Sequence, residues 1–345
     1  MTSPLTQTQK ETALSWVDFI RFIGSFLVVL AHIQNWGAGS KWAQDFYYVL
    51  SRIGVPLFFL ISGYLLLSKQ EALWTFFKKR ASRIIIPFLV WSIIYDVQNS
   101  QAFENGVSLE GILKMFIRIF RGPREAHLWF FYFLIGLYLI TPILRVFISK
   151  ASNSDILYYI ALWFLVVPLL FIVEEFTPIK NGFEIHYTGG YVGYFLLGYY
   201  LGRLDLKPPL FWSALGLFIT GFLFTFAVFY FDLPPQKNEL VFRSYPSLNI
   251  TLMSLGAFIL IKTIGEKISP QLAQLSREAG RASFGIYLIH PIIFTWMALG
   301  WNALGFQTNS GSSIFVIPLA ALVNFLLSWL IILVISKIPI LRAIV

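Results

Sequence analysis

Apolar residues run in long blocks along this chain, separated by short polar segments. Ten blocks read as membrane-crossing helices: residues 16–33, 46–67, 84–97, 128–147, 156–173, 189–201, 211–231, 248–264, 283–299 and 313–335. A bilayer-spanning helix needs about 20 predominantly apolar residues. The blocks at 84–97 and 189–201 are short, so they are expected to tilt less, to extend into the headgroups, or to line a water-filled cavity. The second of these carries Gly189, Gly193, Gly198 and Gly202, a spacing of small residues that lets helices approach closely. A long polar stretch, 99–127, separates the third block from the fourth. Within it Leu109, Ile112, Leu113, Phe116, Ile117 and Phe120 recur at helical spacing, with Lys114, Arg118 and Arg121 elsewhere on the wheel. This predicts an amphipathic helix over 108–120, lying on the outer membrane surface. It serves either as an anchor or as a roof over a site.

Composition agrees with the pattern. Of 345 residues, 57% are hydrophobic and only 12% charged, against about 25% charged in soluble domains. Mean hydropathy is +0.71. The expected fold class is an all-α polytopic membrane protein of about ten transmembrane helices. No break suggests a second folded domain: residues 1–14 read as a flexible polar N-terminus and 15–345 as one transmembrane domain. The first apolar block has no A-x-A-like cleavage site after it, so it reads as a retained helix. The formal charge of +9 does not point to nucleic acid, because Lys and Arg sit in short loops. Sixteen of the 26 fall in segments that would be inside if the N-terminus is inside. That bias places both ends in the cytoplasm. There is no cysteine, which excludes a disulfide framework or a cysteine–metal site, and no metal site is assigned.

Against this background, ionisable residues inside apolar blocks stand out, since charge in lipid is costly and by default marks function. Arg21 and His32 both lie in the first block. Eleven helical steps bring them to the same face, about 16 Å apart along the axis. Asp18 and Ser25 fall near that face, so one side of the helix is a polar track, and Asp18 is one turn from Arg21. The four histidines are His32, His127, His186 and His290. His32 and His127 lie towards the outer side, His290 lies inside the ninth block, and His186 lies in an outer loop. A neutral imidazole can accept a proton from a hydroxyl near physiological pH; a structural hydrogen bond to a neighbouring helix is the alternative role, above all for His290 and His186. A second site is basic: Lys78, Lys79, Arg80 and Arg83 at the inner start of the third block. Arg80 and Arg83 are three apart and so neighbours on an α-helix. Their guanidinium forks suit phosphate oxygens, while such clusters also fix topology or bind anionic lipid.

Arg21 and His32 form R-x10-H within WVDFIRFIGSFLVVLAHI. VPLFFLISGYLLL follows in the second block, and Arg80 and Arg83 form R-x-x-R within RASRIIIPF. HLWFFYFLIGLYLITPIL and SFGIYLIHP come later. Together these segments resemble the membrane acyltransferase-3 family, in particular its branch similar to the enterobacterial common antigen O-acetyltransferase. The resemblance runs from Trp16 to about Ile335. It implies ten core spans in the bacterial cytoplasmic (inner) membrane. It also implies transfer of an acyl group, usually acetyl, from cytoplasmic acyl-CoA to a hydroxyl of an extracytoplasmic or lipid-linked glycan. Arg21 and His32 match the family's essential pair. Arg80 and Arg83 match the arginine pair thought to hold the CoA end, and Lys79 beside them is expected to join them there.

On that basis His32 is expected to act as general base, with an acyl-histidine relay as the second route. His127 is the candidate to orient it. Trp129 and Phe130 either pack the glycan or belong to the interfacial aromatic belt. Acetyl-CoA or another acyl-CoA is the co-substrate, and membrane lipid the surroundings. A transporter or flippase for a small polar or lipid-linked substrate could use the same polar track, but would not consume acyl-CoA.

Overall fold

Helix α1, Ser15–Ala31, stands at the centre of the molecule. Trp16, Val17, Ile20 and the run Leu27–Leu30 are buried all round it, as expected of a helix enclosed by other helices rather than by lipid. The computed structural model describes residues 15–33, 36–99, 108–182, 189–233 and 238–345. The N-terminal segment 1–14 and His186 lie outside the described residues.

Packed against α1 are α3 (Gly54–Leu67), α13 (Leu248–Gly265), α14 (Pro270–Ala303) and α15 (Ser313–Ile335). Chain order fills the rest. Helix α2 (Lys41–Ser51) precedes α3; α4 (Leu73–Arg80) and α5 (Ile86–Asn99) follow it; α6 (Leu109–Arg121) comes next. Then come α7 (Trp129–Lys150), α8 (Asn153–Phe164), α9 (Leu170–Phe176), α10 (Val192–Gly202), α11 (Pro208–Tyr230) and the single turn α12 (Leu240–Arg243). No β-strand forms among the described residues; Ala38 and Ser312 make an isolated parallel bridge. Among the described residues, eight helical stretches are long and apolar enough to cross a membrane. Helices α1 and α10 are shorter, at 17 and 11 residues.

Two stretches differ from the pattern-based expectation. The third block is not short: Leu73–Asn99 is one rod of 27 residues. The basic cluster continues the helix instead of ending it, because its long side chains project from the rod and Glu71 pairs with Lys79 and Arg80. A π-turn at Ala81–Ile85 joins α4 to α5, with the Ile86 N–H reaching back five residues to the Ala81 carbonyl. The ninth block grows to the 34 residues of α14, about 51 Å at helical rise and longer than a bilayer core. Its early start has a local cause: Ser269 caps it, accepting from the Leu272 N–H, and Pro270 opens it, both signals of a helix N-terminus.

The glycine-rich α10 packs on α3 as the spacing suggested. A Cβ on Gly198 would stand 1.9 Å from the Leu60 carbonyl oxygen, and one on Gly63 2.1 Å from that of Phe195. The two backbones touch where side chains are missing. The amphipathic helix also forms, as α6, capped by Ser108. Its inner face is Met115 and Ile119, while Leu109, Phe116 and Phe120 are exposed. Arg118 turns inward. Its Nε donates to Asp96 at 2.9 Å, and Arg124 Nε lies 2.6 Å from the same carboxylate. Asp96 is fully buried; a buried carboxylate persists only where paired, so this clasp fastens α6 to the end of α5.

Candidate active site

Three histidines from three distant segments meet at one end of the bundle. His32 follows the last turn of α1, His127 sits in the 3-10 turn Ala126–Leu128 before α7, and His290 is in mid-α14. Ring centroids are 4.7 Å apart for His32–His290, 5.3 Å for His127–His290 and 6.4 Å for His32–His127.

Local chemistry sets the tautomers. Pro291 has no N–H, so in α14 the Tyr287 carbonyl lacks its ordinary helical donor. His290 Nδ1 lies 2.8 Å from that oxygen. A carbonyl only accepts, so Nδ1 of His290 carries the proton and Nε2 presents its lone pair. That lone pair faces Nδ1 of His32 at 3.3 Å. His32 Nδ1 is also 2.8 Å from the Val28 carbonyl oxygen, so it too is the protonated nitrogen, shared between two acceptors. Nε2 of His32 is therefore the basic nitrogen, and it has no hydrogen-bond partner among the described residues. His32 is partly exposed, whereas His127 and His290 are buried.

The nitrogen beside His32 thus belongs to His290, while His127 meets it by ring packing. Among the described residues, neither ring nitrogen of His127 has a hydrogen-bond partner in good geometry. Its backbone carbonyl accepts from the Tyr287 hydroxyl. Asn324 of α15 donates to the His290 carbonyl at 3.1 Å and in turn accepts from Ser328, tying the cluster to a third helix. Among the described residues, no group of three or more His, Asp or Glu side chains is arranged to hold a metal ion.

The other end of α1 is basic. Arg21 donates to Asp18 at 3.3 Å, the partner expected from the spacing. Arg21 also lines a cavity of about 720 Å³, with Arg83, Arg281 and Arg342. From this arginine end the cavity runs between apolar walls to Phe130, Phe131 and Tyr287. Tyr287 lies 5.4 Å from His127 and 6.0 Å from His290, centroid to centroid. Tyr287 therefore borders both the cavity and the histidines, and forms an aromatic layer there with Phe130 and Phe131.

Arg80 and Arg83 part company here. The π-turn between them underwinds the helix, and the three-residue spacing no longer puts them on one face. Arg83 lines the cavity. Arg80 and Lys79 turn to Glu71, at 3.7 and 3.1 Å, where Arg145 joins at 3.6 Å. Arg80 and Arg145 both stack on Phe76. Burial pushes the Glu71 carboxyl up, but the three cations together hold it below the usual glutamate value. Arg281 and Arg342 were not singled out by sequence. Arg281 bears the same signal as Arg21: an arginine shortly before an apolar run that ends in a histidine, here His290. Arg342 has no such signal; it is brought in by the turn Leu341–Ile344, seated where Trp91 Nε1 donates to the Ile344 carbonyl at 2.8 Å.

Fold and site together define a multi-pass helical membrane protein with a basic cavity at one end of its central helix and a histidine cluster at the other. The family model described as an acyltransferase domain matches residues 14–333, and the chain belongs to that acyltransferase-3 family. Among curated proteins it is similar to the succinoglycan biosynthesis protein ExoH of Rhizobium meliloti (strain 1021), at 30% identity over 134 residues. The match spans 34% of this chain and 36% of that protein. No solved structure matches the chain.

Proposed function

We propose that this protein is an O-acyltransferase, with acetyl as the group moved, that uses cytoplasmic acyl-CoA to modify a hydroxyl of an extracytoplasmic or lipid-linked glycan. The observation that carries the reading is the polarity of α1: a cation-lined cavity at Arg21, and about 16 Å away a histidine whose Nε2 is free to take a proton. Family membership supports acyl transfer, and the name of the succinoglycan relative favours a polysaccharide acceptor. The resemblance of its motifs to the enterobacterial common antigen branch favours acetyl. In this reading the chain crosses a bacterial inner membrane ten times, α1 and α10 included, with both termini in the cytoplasm.

The chemistry follows from the tautomers. Nε2 of His32 removes the proton of the acceptor hydroxyl as its oxygen attacks the thioester carbonyl. The C–S bond breaks, and the CoA sulfur leaves with the proton that His32 then returns. General-base help of this kind is worth about 10² to 10⁴ in rate. His290 is a positioning residue: its Nε2 accepts from His32 Nδ1, and keeps Nε2 of His32 unprotonated at rest. Arg21 and Arg83 meet the donor; Arg80 and Lys79 hold α4 in place through Glu71.

The activity is tested by mass spectrometry of surface glycans from cells with and without the gene. Loss of an acyl increment, restored by the wild-type gene, is expected. Unchanged glycans with altered uptake or export of a small polar or lipid-linked solute would favour a transporter.

A further inference from the structure

A second cavity, of about 680 Å³, adjoins the first on the far side of Arg83, Arg281 and Arg342. All three arginines line both cavities. None has a carboxylate within salt-bridge distance among the described residues, and all three are exposed. Three guanidinium groups on one shared wall repel each other, and a polyanion relieves that repulsion. Guanidinium forks match phosphate oxygens in planar, paired contacts.

The two chambers differ in character. The first has apolar walls, with Phe58, Leu134 and Phe284 among them, and leads towards the histidines. The second is bounded by α14 and α15 and offers Ser336 and Glu278 beside Ile332. The Glu278 carboxylate accepts from Gln274 at 3.1 Å. It borders that chamber together with the three arginines.

On the proposed use of acyl-CoA, we infer that Arg83, Arg281 and Arg342 grip the diphosphate at the middle of the donor, with its two halves in different chambers. Acyl-CoA is built for such a site: its diphosphate joins a phosphorylated nucleoside to a long, uncharged arm ending in the thioester. The arm lies in the apolar chamber, the thioester towards the aromatic layer. The nucleoside lies between α14 and α15, where Glu278 and Ser336 can accept from its amine or its one free ribose hydroxyl. Arg281 and Arg342 are thereby assigned to donor binding.

The full-length protein in phosphatidylcholine nanodiscs tests this. Binding of CoA, of 4′-phosphopantetheine and of adenosine 3′,5′-bisphosphate is measured by calorimetry for wild type, R281Q, R342Q and R277Q. Arg277 lies one turn from Arg281 and lines neither cavity, so R277Q removes the same charge without touching the wall. R281Q and R342Q are expected to weaken CoA at least tenfold and to weaken both half-ligands, with R277Q binding as wild type. Wild-type affinity for CoA in R281Q and R342Q would overturn the inference while leaving the acyl-CoA reading intact. Absence of CoA binding in the wild type would overturn both. Retention of phosphatidylglycerol that is lost in these variants, with CoA binding unchanged, would assign the arginines to a lipid headgroup and also overturn it.

Discussion

Nε2 of His290 lies 3.3 Å from Nδ1 of His32, and the residue after His290 explains why it can. Pro291 leaves the Tyr287 carbonyl without its helical N–H, and the His290 ring supplies one. The proline thereby turns a helix defect into a fixed imidazole. Replacing His290 with Ala is expected to lower kcat at least tenfold with KM for acyl-CoA unchanged. H290Q should recover part of it, because a Gln oxygen can still accept from His32. A rise in KM with a fall in kcat and in folded yield would instead mark a purely structural residue. P291A should return a backbone donor to Tyr287, release His290, and shift the pH profile of kcat towards that of H290A.

Topology is open to direct labelling because the chain has no native cysteine. A single cysteine at Ser40 should react with an impermeant reagent from outside, and one at Ser152 should not. The reverse pattern would put His32 on the cytoplasmic side, away from a glycan acceptor.

Arg80 and Arg83 should behave differently although both belong to R-x-x-R. Lys keeps the charge but loses the planar fork. R83K is expected to raise KM for acyl-CoA several-fold with insertion intact. R80K acts on the Glu71 cluster and should lower the melting temperature more than it changes KM. Because the Glu71 pKa is held below its usual value, this cluster stabilises the fold above the ordinary glutamate pKa and loses that contribution as pH falls through the depressed value. The melting temperature of E71Q should therefore vary less with pH on the acid side than that of the wild type.

Close backbone packing of α10 on α3 predicts a sharp contrast between two glycines. G198A drives a Cβ into the Leu60 carbonyl and should abolish folded yield or lower the melting temperature strongly. G216A has nothing within 4 Å of the new Cβ, and Ala favours a helix over Gly by about 1 kcal/mol. G216A should melt at or above the wild-type temperature. Equal melting of the two variants would contradict the contact.

Sequence made the helices and the shared face of Arg21 and His32 legible, because length, hydropathy and a 3.6-residue period settle those within one element. The ends of α4 and α14 were not legible, since helices whose charges can project or pair run on past their apolar blocks. The divergence of Arg80 and Arg83 depends on a π-turn, which breaks the period used to place them together. The His32–His290 contact joins residues 258 apart in sequence; packing of α14 on α1 makes it. The His-Pro pair was visible, but its meaning needed the Tyr287 carbonyl. The α6 helix was legible from its stripe, whereas its clasp to Asp96 required knowing where α5 ends.

Base catalysis by His32 is the core of the proposed acyl transfer. Its most direct test is acyl transfer in sealed proteoliposomes, with labelled acetyl-CoA on the side of Arg21 and a glycan acceptor on the side of His32. Wild type should label the glycan, and H32Q, at equal protein and equal CoA affinity, should do so about 10² to 10⁴ times more slowly. Transfer by H32Q at the wild-type rate would rule out His32 as the base.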